Sequence, residues 1–96
     1  MGASDFMTRA SGDTPEAAFR EAVSRAQYED GHGGYTGTIA EKREFVFIKT
    51  PEGMSPREYA QHLMDKGDSR VDNKWGPAGC VELEPGSYLF FGWASS

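Results

Sequence analysis

Between Asp30 and Lys42 the chain reads Asp-Gly-His-Gly-Gly-Tyr-Thr-Gly-Thr-Ile-Ala-Glu-Lys, with four glycines in the seven positions from Gly31 to Gly37. His32 brings an imidazole, a side chain suited to proton transfer at physiological pH, so it could serve as a general base with Asp30 or Glu41 as its orienting carboxylate. That would be the chemistry of a small hydrolase or transferase. The same segment supports a second reading, because clustered glycines mark positive φ angles or close backbone approach. His32, Gly33, Gly34, Tyr35, Thr36 and Glu41 then become a binding loop, with the tyrosine ring as apolar contact area and the others as polar groups. Thr38 adds a hydroxyl, although alternating threonines are equally at home in a half-exposed strand.

A phosphate cradle fits this segment poorly. Glycine-rich phosphate loops follow a strand and open a helix, so that amides and the positive helix end face the anion. Here the cluster follows a helical pattern and opens a strand-like one, and Glu29 and Asp30 stand beside it. Metal binding also lacks ligands. Cys80 is the single cysteine, which excludes an intramolecular disulfide and a thiolate zinc cage, and His62 falls on the outer face of its helix. Cys80 would be a nucleophile only if a base met it in space; otherwise it reads as a small buried apolar residue. No cofactor is implied.

A second special segment, Lys74-Trp75-Gly76-Pro77-Ala78-Gly79, ends a polar stretch that begins at Asp68. Long loops of this kind are often functional, and a flat indole in one builds a stacking wall. Lys74 and Trp75 therefore join the binding residues, and the two loops are expected to converge at one end of the sheet. Trp93 reads as core packing.

The elements that must position these groups are marked by local signals. Thr14-Pro15-Glu16 caps and starts a first helix that runs to about Asp30, with Ala18, Phe19, Ala22, Val23 and Ala26 at helical spacing. Tyr35 to Lys42 and Phe45 to Lys49 read as two strands of a hairpin. Ser55-Pro56-Arg57-Glu58 is a capping box opening a second helix that closes at Lys66 and Gly67. Cys80 to Glu84 and Tyr88 to Trp93 form a final strand pair around Glu84-Pro85-Gly86-Ser87, which suits a type II turn. The expected fold is α+β, in the order α-β-β-α-β-β, with a mainly antiparallel sheet and both helices on one face. Residues 1–13, small and polar, read as a flexible leader ahead of a single domain, 14–96. Tyr88 to Trp93 reads as an exposed edge strand through which a homodimer, or a homo-oligomeric structural subunit, could form.

At 96 residues one compact core is expected, burying roughly 60% of the unfolded surface. The formal charge of -5 comes with no run of lysine and arginine, which argues against nucleic acid and against an anionic membrane surface. With no signal-like segment and no apolar stretch near membrane length, the expected location is the cytoplasm.

The strings Gly34-Tyr35-Thr36-Gly37-Thr38-Ile39-Ala40-Glu41-Lys42, Lys74-Trp75-Gly76-Pro77-Ala78-Gly79 and Leu89-Phe90-Phe91-Gly92-Trp93 resemble a family of small uncharacterised proteins of bacteriophage and bacterial genomes. The resemblance spans most of the chain from the first helix onward. It implies no activity. It does imply an accessory protein of phage or mobile-element type in a bacterial cell, binding a host protein or a small metabolite or nucleotide-like molecule.

Overall fold

The computed structural model describes residues 2–31 and 33–96. In chain order the elements are β1 (Ala3–Ser11), α1 (Pro15–Asp30), a 3-10 turn (Ile39–Glu41), β2 (Phe45–Phe47), α2 (Pro56–Asp65), β3 (Ala78–Glu84) and β4 (Ser87–Ser95). The sheet order is β1-β4-β3-β2. β4 is antiparallel to both β1 and β3, whereas β2 runs parallel to β3. The class is α+β with a mainly antiparallel sheet, as the residue patterns predict.

The helix starts follow their capping chemistry. The Thr14 hydroxyl accepts from the Ala17 amide at 3.1 Å with Pro15 behind it, and the Ser55 hydroxyl accepts from the Glu58 amide at 3.2 Å. Each satisfies a donor that the first helical turn cannot. Gly86 takes φ 83 in the β3–β4 turn, as the third position of a type II turn requires.

Four expectations are corrected. Residues 3–11 belong to the fold: β1 pairs with β4 along its whole length, and Phe6 and Ala10 enter the core at 8% and 4% exposure. Tyr35 to Lys42 is not a strand, and Phe45 to Phe47 pairs with β3 instead of closing a hairpin. Local hydroxyl and carboxylate bonds around Thr36, Thr38 and Glu41 take the place of a ladder, the usual competition between short polar side chains and β pairing. β4 is central, not an edge.

A fifth correction concerns the helices, expected together on one face: they take opposite faces. Tyr88, Phe90 and Ala94 of β4 pack with Cys80, Phe6 and the Ala18, Phe19, Ala22 stripe of α1. Leu89 and Phe91 pack with Val81, Ile48, Val71 and the Ala60, Leu63, Met64 stripe of α2. Successive residues of a strand point to opposite sides, so the continuous apolar run of β4 demands cover on both.

Close packing on the α2 side leaves no room at Gly79. A β-carbon there would lie 2.5 Å from the Phe91 ring and 2.7 Å from a Val71 methyl. Gly79→Ala is expected to destabilise the fold by about 2 kcal/mol through overpacking, and Phe6→Ala by about 3 kcal/mol through the cavity left under α1. Urea midpoints measure both; a Phe6→Ala midpoint equal to wild type would remove β1 from the cooperative unit.

Candidate functional site

Lys42 follows the 3-10 turn and is 3% exposed, unusual for a lysine with no carboxylate on its ammonium. Its Nζ donates to three main-chain carbonyls, of Asn73 at 3.3 Å, Lys74 at 3.3 Å and Gly76 at 2.8 Å. Three donors meet three acceptors, so the ammonium is satisfied without a counter-charge. The Phe6 ring lies beneath, its centroid 5.9 Å away. The loop helps itself into this shape: the Asn73 side-chain oxygen accepts from the Trp75 amide at 2.9 Å, and its carbonyl accepts from the Gly76 amide at 2.9 Å. Burial pulls the Lys42 ammonium down from the ordinary 10.5 to about 8, which leaves it charged at neutral pH.

The glycine loop is braced in parallel. One carboxylate oxygen of Glu41 accepts from the Thr36 amide at 3.2 Å and the Thr36 hydroxyl at 2.8 Å. The Thr36 hydroxyl then serves as acceptor for the Thr38 hydroxyl at 2.8 Å, and Thr38 caps the 3-10 turn through the Ala40 amide. The Gly37 amide donates to the Ser95 carbonyl at 2.8 Å, tying the loop to β4. Gly37 has φ 72, and a β-carbon there would press on Ser4 and Ser96 at 3.0 to 3.2 Å, so glycine is required twice over.

These two anchors bring the loops together. The Tyr35 and Trp75 rings meet edge to face, with centroids 6.3 Å apart and planes at 85°. Both are exposed, at 57% and 66%. Tyr35 holds φ 58, the single non-glycine residue at positive φ among the described residues. Such a backbone costs about 1 kcal/mol for an L-residue and marks a place where surrounding structure overrules local preference. Lys74 places its ammonium 5.3 Å from the Trp75 ring and donates to the Gly2 carbonyl at 3.1 Å.

Beside the aromatic pair lies a cleft of about 470 Å³ lined by Glu41, Arg43, Glu44, Trp75, Gly76 and Ser95. Ser95 is 1% exposed, and its hydroxyl has no hydrogen-bond partner among the described residues. Buried hydroxyls normally find one.

Of the residues singled out by sequence, Gly33, Gly34, Tyr35, Thr36, Glu41, Lys74 and Trp75 fall in this pair of loops. His32 lies outside the described residues. Asp30 ends α1 and is exposed. Cys80 is fully buried and its thiol is pushed up to about 12, first by desolvation and then by the charges of Glu16 and Glu82. A thiolate is therefore not formed there at neutral pH. Lys42, Arg43 and Ser95 were not singled out; a lysine reads as surface by default, and only the end of the alternating pattern at Lys42 hints otherwise. Among the described residues no group of three or more His, Cys, Asp or Glu side chains could hold a metal ion, and no helix is long and apolar enough to cross a membrane. Compared with protein-family models, curated proteins and solved structures, the chain matches none.

Two outcomes test the lysine anchor. Lys42→Met strands three carbonyls and is expected to cost about 3 kcal/mol, with amide exchange rising first at residues 73–76. Because the folded-state value of about 8 lies below the ordinary 10.5, the unfolded chain binds the proton more tightly between them. The stability of wild type relative to Lys42→Met should be flat below about pH 8 and rise from there to about pH 10.5. Denaturant midpoints across that range check the sign; a fall would mean that the carbonyls outweigh burial.

Proposed function

We propose that the protein is a small non-enzymatic binding protein that recognises a host protein or a small metabolite or nucleotide-like ligand through the Tyr35–Trp75 surface and the adjoining cleft. The observation that carries this reading is Tyr35 itself: a large exposed side chain kept at positive φ, edge-on to an exposed tryptophan. A loop that merely reversed direction would take glycine there, with no strain. Exposed aromatics on a rigid support contribute contact area at little conformational cost, which is why they dominate recognition surfaces.

In this reading Tyr35 and Trp75 supply apolar contact and a stacking edge. Lys74, Arg43 and the Ser95 hydroxyl supply polar selectivity, while Glu41 and Thr36 set the loop. Gly33 and Gly34 let the main chain approach the bound group. The resemblance of the two loop strings to phage and bacterial proteins supports an accessory role in the cytoplasm of a bacterial host. The catalytic alternative built on His32, Asp30 and Glu41 has less support, since one oxygen of the Glu41 carboxylate is already engaged by the Thr36 amide and hydroxyl.

Tyr35→Gly and Trp75→Ala separate recognition from folding. Tyr35→Gly is expected to leave stability unchanged or raise it by up to about 1 kcal/mol, whereas both variants lose the same companion when host lysate is passed over immobilised protein and bound proteins and small molecules are identified by mass spectrometry. Identical companion profiles for wild type and both variants would refute the surface.

A further inference from the structure

The two edges of the sheet are unlike. β2 spans three residues and is followed by Thr50 and Pro51, the kind of short, interrupted edge that resists pairing. β1 spans nine residues with an unbroken register against β4 and contains no proline. Its outer side is a ready template.

Which groups face outward follows from the hydrogen-bond phase. Gly2 and Ser96 exchange both main-chain bonds, and the Gly12 amide donates to the Gly86 carbonyl. In an antiparallel pair such residues alternate, so the even-numbered residues of β1 bond to β4 and Ala3, Asp5, Met7, Arg9 and Ser11 direct their amides and carbonyls away from the sheet. An independent contact agrees: the Arg9 carbonyl accepts from the Arg25 guanidinium at 2.9 Å, from outside the ladder.

We propose that this edge pairs with the β1 edge of a second copy of the chain, antiparallel and centred on Met7, making one continuous sheet across a two-fold axis. The register is chosen by charge. Centred on Met7, Asp5 stands directly opposite Arg9 of the second copy, and the pair occurs twice. Centred on Asp5 or on Arg9, like charges face each other; centred on Phe6 or Thr8, the two charges find no match. Met7, 37% exposed, meets its own copy on the axis and is covered there. Arg9 uses Nε on Ser87 at 3.1 Å and one Nη on Glu84 at 3.3 Å, and with five donors it keeps others for a second carboxylate. Arg25 occupies one lone pair of the Arg9 carbonyl and leaves one for the incoming Asp5 amide. The interface is isologous, the commonest way for two identical chains to close.

The test is the oligomeric state of the whole chain by sedimentation velocity, over a concentration series reaching about 100 µM, where specific pairing of even modest strength is visible. Wild type is expected to populate a dimer. Met7→Pro removes an outward amide that β4 does not use, so the monomer keeps its fold, checked by its melting profile, and the dimer is lost. Asp5→Arg and Arg9→Asp should each weaken association at least about tenfold by setting like charges together, and the double exchange should restore it. A wild type that stays monomeric, a dimer that survives Met7→Pro, or a double exchange that fails to recover association would each overturn the proposal.

Discussion

A single buried ammonium organises the functional end of this molecule. Lys42 carries a charge into a site where its hydrogen bonds go to main-chain oxygen, and three carbonyls of residues 73 to 76 turn inward to reach it. Removing a charge from water is costly unless every donor is met. Here the chain has solved that by folding a loop around it. The consequence is positional, because Trp75 sits between two residues whose carbonyls are held, and its ring is fixed relative to the 3-10 turn that carries Lys42. Glu41, one residue earlier, fixes Thr36 and so the glycine loop. Neighbouring side chains of one short turn thus hold two loops that are more than thirty residues apart in the chain.

The turn itself is held by the sheet. Ile39 is 1% exposed and packs into the α1-side cluster, and Gly37 bonds to the C-terminal end of β4. β4 is the mechanical centre: it pairs on both sides and its side chains feed both cores. A strand of this kind tolerates little displacement, since a shift of one residue would send every apolar group to the wrong face. The loops are therefore mounted on the least compliant part of the fold, which suits a surface that must be presented in one arrangement.

How much of this the sequence discloses depends on whether the cause is local. Thr14-Pro15-Glu16, Ser55-Pro56-Arg57-Glu58 and Glu84-Pro85-Gly86-Ser87 announce their helix starts and turn because capping and turn geometry are settled within four residues. Strand partners are not local. The run Phe45 to Ile48 says that a strand is apolar, not that it will lie at the sheet edge, parallel to β3 after a helical crossover, and Ala3 to Ser11 carries too few branched or aromatic residues to declare a strand before β4 is there to receive it. The meeting of the glycine loop with Trp75 is legible from residue types alone, as unusual side chains collected in two places. Its cause is not, because a buried lysine looks the same in sequence as a solvated one.

The lysine grips backbone and leaves the loop's side chains alone. Shape and chemistry at this surface are thereby uncoupled: the identity of the groups at positions 74 and 75 can change while the frame that aims them stays put. A scaffold built this way is easily retargeted, by natural drift toward a new binding partner or by deliberate grafting of other residues onto the same two positions.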